Sequence, residues 1–396
     1  MAALSRAVRF DPYDPATNRD PYPVYRALRD EAPVYRDETR GFWALSRFED
    51  VLWAAHDTSR FCSGQGIALE GQARSPFPNL ITMDEPRHSA LRKLVARGFT
   101  AKPVGAFEVG VRAVARDLVD GFARDGQADV VTALAGPLPM IVIGDLIGVD
   151  PADREQFRVW SDTIVHQNVD RPETVTAGRA AASAVVEHFA GIVANRRVQR
   201  RDDLVSALVD ATVDGDHLTD EEILGFCFLL VVAGTETTTN LIGAGTLALA
   251  QNPAERSALI DAPDLVPNAI EEMLRWGSPV QSSARTTTEP VSCRDTTIPA
   301  DVKVLLLWGS ANHDDREFHE PERFDVRRRI ERHVGFGHGA HFCLGAALAR
   351  LETRVVFEEL LRRIPDWEVD QDRVAWIHSS AVRGPAALPI LFTASG

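Results

Sequence analysis

The stretch Phe336–Gly345 reads FGHGAHFCLG and places Cys343 between a glycine-rich loop and a predicted helix that starts AALARLE. Three glycines within ten residues allow a tight loop whose backbone can approach a flat ligand. The backbone N–H groups and the positive end of the helix dipole favour the thiolate form of Cys343. A thiolate in this position suits a borderline or soft metal, haem iron included. The alternative is a glycine-rich turn with an incidental buried cysteine.

A long helix is predicted over about residues 219–251. Thr219 and Glu222 have the spacing of a capping box, and Pro253 limits continuation of the helix. The run 223–232 is apolar on every face, which predicts a fully buried helix. This helix is therefore expected to pass through the core.

In its middle this helix changes from apolar residues to the sequence AGTETTTN, residues 233–240. A carboxylate and several hydroxyls inside a buried helix are costly unless they are used or satisfied. Threonine side chains can bond the carbonyl four residues back and bend the helix, and Gly234 allows close approach of a ligand. Glu236 and Thr237 are suited to deliver protons to dioxygen bound at a metal. A polar patch satisfied by its neighbours is the alternative.

Two charged pairs have helical spacing. His88 and Arg92 are four residues apart, share one helix face and can bind the two oxygens of a carboxylate. A solvated basic face is the alternative there, because Lys93 is adjacent. Glu272 and Arg275 are three residues apart and predict an ion pair within a helix.

The β content is predicted to be small. Short strands at residues 34–35 and 43–45 are expected at the edge of a small sheet. Residues 278–286 are predicted to be extended, with Gln281 and Ser283 on one face. A turn at 295–300 is expected to lead into a strand at 302–307.

The composition favours one large acidic domain. The chain has 396 residues, with 57 Asp and Glu against 43 Lys and Arg, and a net charge of −14. This charge disfavours nucleic acid or an anionic membrane as the main partner. Length alone predicts two domains, but no linker or low-complexity segment divides the sequence, so we predict a single domain over residues 1–396.

No targeting or disulfide signal is recognised. The four cysteines have no paired short spacing, so neither a disulfide framework nor a zinc site is predicted. The first twelve residues contain no signal-peptide core, and the longest apolar run, 223–234, is too short to span a bilayer. We expect a soluble cytoplasmic protein without a membrane anchor.

Together these motifs resemble those of the cytochrome P-450 family, in the family's order and over essentially the whole chain. Phe336–Gly345 meets every fixed position of the family's haem-binding loop, Phe-Gly-x-Gly-x-His/Arg-x-Cys-x-Gly. Residues 233–238 match its Ala-Gly-x-Asp/Glu-Thr-Thr/Ser pattern, and 321–324 match its Pro-x-Arg-Phe segment. The resemblance implies a mainly α fold with a small β region, a triangular helical haem domain around the helix at about 219–251.

The resemblance also implies roles for individual residues. It makes Cys343 the iron ligand and Glu236 and Thr237 the oxygen-activating pair. The expected propionate ligands are His88, Arg92, Arg285 and His341. Further haem contacts are expected from Ala233, Gly234, Phe336, Gly337 and Gly345. The expected structural ion network comprises Glu272, Arg275 and Arg323. The expected substrate contacts are Leu229, Val232, Ala233, Gln281 and Ser283.

The implied activity is that of a haem-thiolate monooxygenase with haem b, O2 and two electrons. The chain has no flavin or iron–sulfur motif, so a small acidic ferredoxin and its NAD(P)H-dependent ferredoxin reductase are the expected electron source. Arg92, Lys93, Arg97, the run 327–329 and Arg332 are the candidate docking patch.

The predicted pocket segments are apolar with hydroxyls and one amide, which favours a neutral lipophilic substrate: a terpenoid, a steroid or a fatty chain. Residues 278–288 also resemble family members that act on small aromatic acids, which is the alternative substrate class. A peroxide-driven peroxygenase is disfavoured by the Glu236–Thr237 pair. A non-catalytic haem-thiolate sensor is the alternative of another class.

Overall fold

The computed structural model describes residues 8–69, 77, 79–166, 170–213 and 215–394. Helices dominate this part of the chain, as predicted. The helices are α1 (Pro15–Arg19), α2 (Tyr22–Glu31), α3 (Phe48–His56), α4 (Arg87–Ala96), α5 (Ala101–Gly105), α6 (Glu108–Asp120), α7 (Pro137–Ile147), α8 (Arg154–Val165), α9 (Pro172–Val198), α10 (Leu204–Asp210), α11 (Asp220–Gln251), α12 (Pro253–Asp261), α13 (Val266–Gly277), α14 (Trp308–Ala311) and α15 (Ala346–Arg363).

The strands are short and fall into one sheet of five strands and several smaller sheets. They are β1 (Val34–Asp37), β2 (Phe42–Leu45), β3 (Phe61–Cys62), β4 (Gln127–Asp129), β5 (Thr212–Val213), β6 (Asp216–His217), β7 (Ser283–Thr287), β8 (Val291–Cys293), β9 (Thr296–Ile298), β10 (Lys303–Leu306), β11 (Glu368–Val369), β12 (Ala375–Trp376), β13 (Pro385–Ala387) and β14 (Pro389–Leu391).

Helix α11 agrees with its predicted bounds. The Thr219 hydroxyl accepts from the Glu222 N–H, and the Glu222 carboxylate accepts from the Thr219 N–H, so the capping box is complete. The helix packs against α7, α8, α9, α13 and α15, which places it at the centre of the helical region. It is also the one described helix long and apolar enough to span a bilayer, and 61% of its most apolar window is buried inside the protein.

The five-stranded sheet has the order β1-β2-β10-β7-β3, which confirms the edge position predicted for residues 34–35 but not that of 43–45, because β2 is paired on both sides. Strand β2 pairs in parallel with β10 and antiparallel with β1. Side chains alternate between the two faces of the sheet. Trp43 and Leu45 pack into one apolar cluster, whereas Phe42 and Ala44 pack into another on the opposite face. Both faces are therefore covered.

Two predicted boundaries differ from the structure: the start of the strand after α13 and the turn at 295–300. Helix α13 ends at Gly277 and is followed by Ser278, which has a left-handed backbone with φ 42°, so the next strand begins only at Ser283. The predicted turn at 295–300 is a hairpin formed by β8 and β9, with Arg294 at φ 53° in its tight turn. Both boundaries are set by positive-φ residues that are not glycine, and the sequence gives no local signal for them.

Candidate active site

The glycine-rich loop is folded tightly against α3. Gly337 and Gly339 have φ of +68° and +70°, a conformation that favours glycine. A Cβ on Gly339 would lie 2.5 Å from the carbonyl oxygen of Ala55, so this position also has no room for a side chain. The Cys343 N–H donates to the carbonyl of Phe336 at 2.9 Å and closes the loop.

Cys343 lies three residues before α15, and its surroundings have opposing effects on the ionisation of its thiol. Burial raises the pKa of the thiol, whereas the Gly345 N–H and the positive charges of Arg92 and Arg350 favour the thiolate. Arg350 is held over the Phe336 ring, 4.6 Å from its centroid. The nearby donors and cations thus suit a sulfur that carries negative charge.

A group of nitrogen donors gathers beside this loop. The rings of His88 and His341 lie with their centroids 4.3 Å apart. His88 is only 1% exposed; its Nε2 has no hydrogen-bond partner among the described residues, and its Nδ1 lies 3.5 Å from a carboxylate oxygen of Glu85. Burial, together with the charges of Arg285, His88 and Arg92, lowers the pKa of His341 to about 3. Both imidazoles therefore favour the neutral form; His88 is buried, whereas His341 is half-buried.

Arg285 belongs to the same group. It is 5% exposed, and its guanidinium donates to the Ala284 carbonyl at 2.8 Å and to the Ser283 hydroxyl at 3.4 Å. No ion pair joins Arg285 to a carboxylate within the described ranges. Burial lowers its pKa to about 10, which the more distant charge of Asp84 opposes. A buried guanidinium without a bound carboxylate is costly, so the group is suited to an anionic ligand.

The middle of α11 presents one half-buried face. Leu229, Val232, Ala233 and Thr237 are partly exposed, although most of the helix around them is buried. The prediction that the run 223–232 is buried on every side was therefore wrong, because this face borders open space. The Thr237 hydroxyl donates to the Ala233 carbonyl at 2.8 Å, the predicted bond to the fourth residue back.

The Glu236 side chain points away from the half-buried face of α11 and contacts polar side chains instead. It is 3% exposed, accepts from the His166 Nε2 at 2.9 Å and accepts from the Asn240 amide at 3.1 Å. Burial raises the pKa of the carboxyl, but the hydrogen bond and charge of His166 lower it below its usual value. Glu236 is thus a buried carboxylate satisfied by its neighbours.

Gly234 does not have the role that the sequence suggested. A Cβ at this position would sit 3.5 Å from the side chain of Ile143 in ordinary contact, so the missing side chain faces α7. The structure therefore offers no support for a close ligand approach at Gly234 through its missing Cβ.

The predicted ion network forms around a fully buried pair. The Arg275 guanidinium donates to both carboxylate oxygens of Glu272, at 2.6 and 2.8 Å, and neither side chain is exposed to solvent. The remaining Arg275 donors reach the carbonyls of Asn312, Pro321 and Arg323. The pair therefore ties α13 to the segments that precede the Cys343 loop.

The second arginine of this network is Arg328, which corrects the assignment of Arg323. Arg328 Nε donates to Glu272 at 3.1 Å, and its side chain is 11% exposed. The Arg323 side chain is 61% exposed and lies 3.5 Å from Glu320. The reason is geometric: Arg323 offers its backbone carbonyl to Arg275 and Arg328, which directs its side chain outward.

Gln281 and Ser283 do not share a face as predicted. Gln281 precedes β7, and its amide donates to the carbonyls of Gly277 and Ser278 at the end of α13. It therefore caps a helix and also lines a small cavity near the N-terminal segment. The Ser283 hydroxyl accepts from the Trp308 indole at 3.0 Å and lies next to Arg285.

Comparison with known proteins identifies the relatives of this chain. The family model described as "Cytochrome P450" matches residues 176–264 and 256–378. A "Putative cytochrome P450 123" of Mycobacterium tuberculosis is 42% identical over 385 residues, covering 96% of each chain. The chain belongs to the cytochrome P450 family. The steroid C26-monooxygenase of M. tuberculosis is 39% identical, covering 96% of this cytochrome P450 and 95% of the relative.

The fold comparison agrees. The crystal structure of CYP109E1 from Bacillus megaterium in complex with testosterone matches this cytochrome P450 with a TM-score of 0.90 and 33% identity. The match covers 96% of this chain and 99% of that one. The predicted mainly helical fold and the family resemblance are thus confirmed.

The residues of this cytochrome P450 fit a haem group. Haem needs one axial ligand and partners for two propionates, and family members use a cysteine thiolate as the axial ligand. Cys343 lies next to N–H and guanidinium groups that favour a thiolate. The Nε2 of His88, which has no partner among the described residues, and the Arg285 guanidinium, which forms no ion pair there, are suited to propionate oxygens. The donors of His88 and Arg285 are therefore not fully used by the other described residues.

Sequence reasoning missed several residues near the site of this cytochrome P450. His166 and Asp162 contact Glu236 from α8 and its end, but they are about 70 residues away in sequence and belong to no recognised motif. Glu352 on α15 is 2% exposed and hydrogen-bonded to Thr238 of α11. An acidic residue in the largely apolar stretch that follows Cys343 was the one available signal for Glu352.

Glu352 should make the stability of this cytochrome P450 fall as the pH rises. Burial raises the pKa of its carboxyl from 4.5 to about 8, so the folded state keeps a proton that the unfolded chain loses. The free energy of unfolding should therefore lose on the order of 4 kcal/mol between pH 4.5 and 8 through this group. Glu352→Gln should remove that loss, as measured by chemical unfolding at pH 5.5, 7 and 8.5.

Glu359 on the same helix is the control with the opposite sign. Despite burial, its bonds to Arg362 and Arg363 hold the pKa of Glu359 at about 2, so its contribution is present at neutral pH and is lost in acid. Glu359→Gln should lower stability at pH 7. Equal pH profiles for Glu352→Gln and the parent protein would contradict the assignment of a neutral buried acid.

Proposed function

We propose that this cytochrome P450 is a monooxygenase of neutral lipophilic molecules, with steroids as the first candidates. The observation that carries the proposal is that Glu236 and Thr237 are consecutive residues in the middle of α11, whose half-buried apolar face includes Leu229, Val232 and Ala233. An apolar face next to a proton-handling pair suits oxygen insertion into a substrate held by burial of apolar surface.

Haem b is the proposed cofactor; Cys343 would supply its thiolate ligand, and His88, Arg92, Arg285 and His341 would bind its propionates. Bound haem supplies the reductive activation of O2 and the transfer of one oxygen atom to carbon. Phe336, Gly337 and Gly345 would shape the loop that borders the haem, and Ala233 would contact it from the half-buried face of α11, whereas Gly234 faces Ile143 of α7. The Gly345 N–H and Arg350 favour negative charge on the Cys343 sulfur, against the burial that raises the pKa of the thiol.

Glu236 and Thr237 are the proposed proton-handling residues. Glu236 is a carboxylate held by His166 and Asn240, and it can return a proton once it has received one. Thr237 bonds the Ala233 carbonyl through its hydrogen, which leaves the oxygen lone pairs free to accept from a bound molecule. A proton can therefore be held at Glu236 while Thr237 positions the acceptor.

The substrate class is supported by the face of α11 and by two relatives. Leu229, Val232 and Ala233 present no charge, and the predicted contact Ser283 is already bonded to Trp308. One relative is named as a steroid C26-monooxygenase, and a similar structure contains testosterone. Small aromatic acids are the alternative substrate class. Binding them would need a positively charged side chain that is free to pair with the substrate carboxylate.

Electrons are proposed to come from a small acidic ferredoxin and its NAD(P)H-dependent reductase. The predicted basic patch is smaller than expected, because Arg328 belongs to the Glu272 network and Arg332 pairs with Glu317. Lys93, Arg97 and Arg329 are exposed. We further propose one catalytic domain over residues 1–396 and a cytoplasmic location, in keeping with the burial of α11 in the core.

A Soret titration of the purified ferric protein tests the proposal. Steroids, terpenoids, fatty acids and benzoates are added separately, and a low-to-high-spin shift identifies molecules that displace water from the iron. Turnover with a surrogate ferredoxin system and NADH then measures oxygen consumption and oxygenated product. A shift and product with steroids are expected. Ligand binding without substrate-dependent oxygen consumption would instead favour a haem-thiolate sensor.

Glu236→Gln and Thr237→Ala should each uncouple electron use from product formation. General acid–base groups contribute roughly 10²–10⁴-fold, so product per NADH should fall by about 10²-fold while haem content is unchanged. Thr246→Ala is the matched control, because the Thr246 hydroxyl makes the same bond to the fourth residue back in the same helix. Normal coupling in both site variants would refute the proton-handling assignment.

A further inference from the structure

Helix α8 ends in direct contact with the acid of α11. His166 is the residue that follows α8, and its Nε2 lies 2.9 Å from Oε1 of Glu236. Burial opposes a positive charge on His166, but the hydrogen bond and charge of Glu236 raise its pKa above the usual 6.5. The contact therefore favours an ion pair between a protonated imidazole and a buried carboxylate.

Asp162 reaches the same carboxylate from one turn earlier in α8. It shares a hydrogen bond with Glu236, and burial followed by the charge of Glu236 raises its pKa to about 7. Arg158 bonds the other side of Asp162 at 2.7 Å and also holds Glu155. Asp162 is thus a carboxyl that exchanges its proton near neutral pH, between a cation and a second carboxyl.

Exposure falls in steps along this cluster. The side chains of Asp162 and His166 are 30% and 32% exposed, whereas that of Glu236 is 3% exposed. Both outer groups can exchange protons with water, and both contact the inner group. The inner group is itself next to Thr237, which lies on the half-buried face of the helix. A set of titratable groups in mutual contact thus leads from solvent to Glu236.

We propose that His166 and Asp162 are the relay that resupplies Glu236 with protons from solvent, an inference that rests on the proton-handling function proposed for Glu236. In each transfer one proton moves from the His166 Nε2 or the Asp162 carboxyl to Glu236. Water then reprotonates the donor, and no electron moves. Asn240 donates to Glu236 but cannot release a proton at neutral pH, so it orients the carboxylate.

The relay has a definite pH range. The charged groups that face it are Arg158 and Asp162 from α8, His166 at the end of α8 and Glu236 from α11. A raised pKa on His166 means that the ion pair is fully present below pH 6.5 and is lost as the pH rises through its folded-state pKa. Asp162 loses its proton near pH 7, which adds a second negative charge beside Glu236. Coupling should therefore decline on the alkaline side.

Three variants separate a relay from a merely structural contact. His166→Phe removes both donor and charge, His166→Gln keeps a donor without a transferable proton, and Asp162→Asn removes the carboxyl. We expect product per NADH to fall about tenfold in His166→Phe and His166→Gln, less than the loss at Glu236 itself because Asp162 remains. The solvent deuterium isotope effect on turnover should rise in both. The double variant with Asp162→Asn should lose more than either single variant.

The chain also offers a control variant for His166 and a readout that does not depend on catalysis. His188 is also 32% exposed and pairs with a carboxylate, Asp153, so His188→Gln should leave coupling and the isotope effect unchanged. Histidine ¹⁵N NMR of the diamagnetic ferrous carbonyl form should give His166 a pKa above 6.5 that falls in Glu236→Gln. The His166→Gln spectrum assigns the resonance.

Two outcomes would overturn the relay. Wild-type coupling in His166→Gln together with loss in His166→Phe would show that a neutral donor suffices, so the role would be positioning alone. A His166 pKa that does not respond to Glu236→Gln would show that the pair does not form. Failure of the proposed function is distinct: Glu236→Gln itself would then retain normal coupling.

Discussion

Glu272→Ala is expected to lower the free energy of unfolding by about 3–5 kcal/mol, the cost of removing one partner from a buried ion pair. Neither Glu272 nor Arg275 is exposed, so water cannot replace the lost carboxylate. The variant leaves the Arg275 guanidinium with backbone carbonyls as its remaining described partners. Chemical unfolding at fixed haem occupancy measures the loss.

Arg323→Ala is the control that distinguishes the observed network from the one the motif predicts. Its side chain is exposed and points away from Glu272, so its removal should change stability by no more than about 0.5 kcal/mol. Arg328→Ala should cost clearly more, because its guanidinium bonds Glu272 and three backbone carbonyls. A larger loss for Arg323→Ala than for Arg328→Ala would contradict the corrected assignment.

Cys343→Ser should abolish monooxygenase turnover, with a loss on the order of 10³-fold or more, about 4 kcal/mol in the activation free energy. A serine hydroxyl cannot supply the thiolate charge that favours O–O cleavage, although it occupies nearly the same volume. Haem content is measured by haemochrome absorbance, thiolate ligation by the Soret band of the ferrous carbonyl form, and turnover by product formation.

Cys62→Ser provides the matched control for that experiment. Cys62 is also a free, partly exposed cysteine, and it lies in β3 at the edge of the sheet. Burial raises the pKa of its thiol, as does the nearby charge of Asp84. This variant should keep the ligation spectrum and the turnover of the parent protein. Loss of the thiolate spectrum in Cys62→Ser but not in Cys343→Ser would contradict the ligand assignment.

The sequence predicted those features whose cause is local. The bounds of α11 follow from a capping box and from Pro253. These signals depend on residues close together in the chain. The His88–Arg92 pair falls on one helix for the same reason.

The features that were missed depend on side-chain direction in three dimensions. A Pro-x-Arg-Phe segment does not reveal that Arg323 contributes its carbonyl, whereas Arg328 contributes its side chain. Gln281 was assigned from strand alternation, but the left-handed turn at Ser278 delays the strand and leaves the amide to cap α13. Such choices are decided by packing among distant segments.

The pairing of β2 with β10 has a consequence for biosynthesis. Residues 42–45 are all buried, and their parallel partner lies at residues 303–306, some 260 positions later. At roughly 5–20 residues per second, the ribosome needs about 13–50 seconds to synthesise that partner. During this interval an aromatic, apolar strand has an unpaired edge, which is open to wrong pairing with other nascent chains. The yield of this protein should therefore depend more on chaperone supply and on slow translation than on the stability of the folded protein.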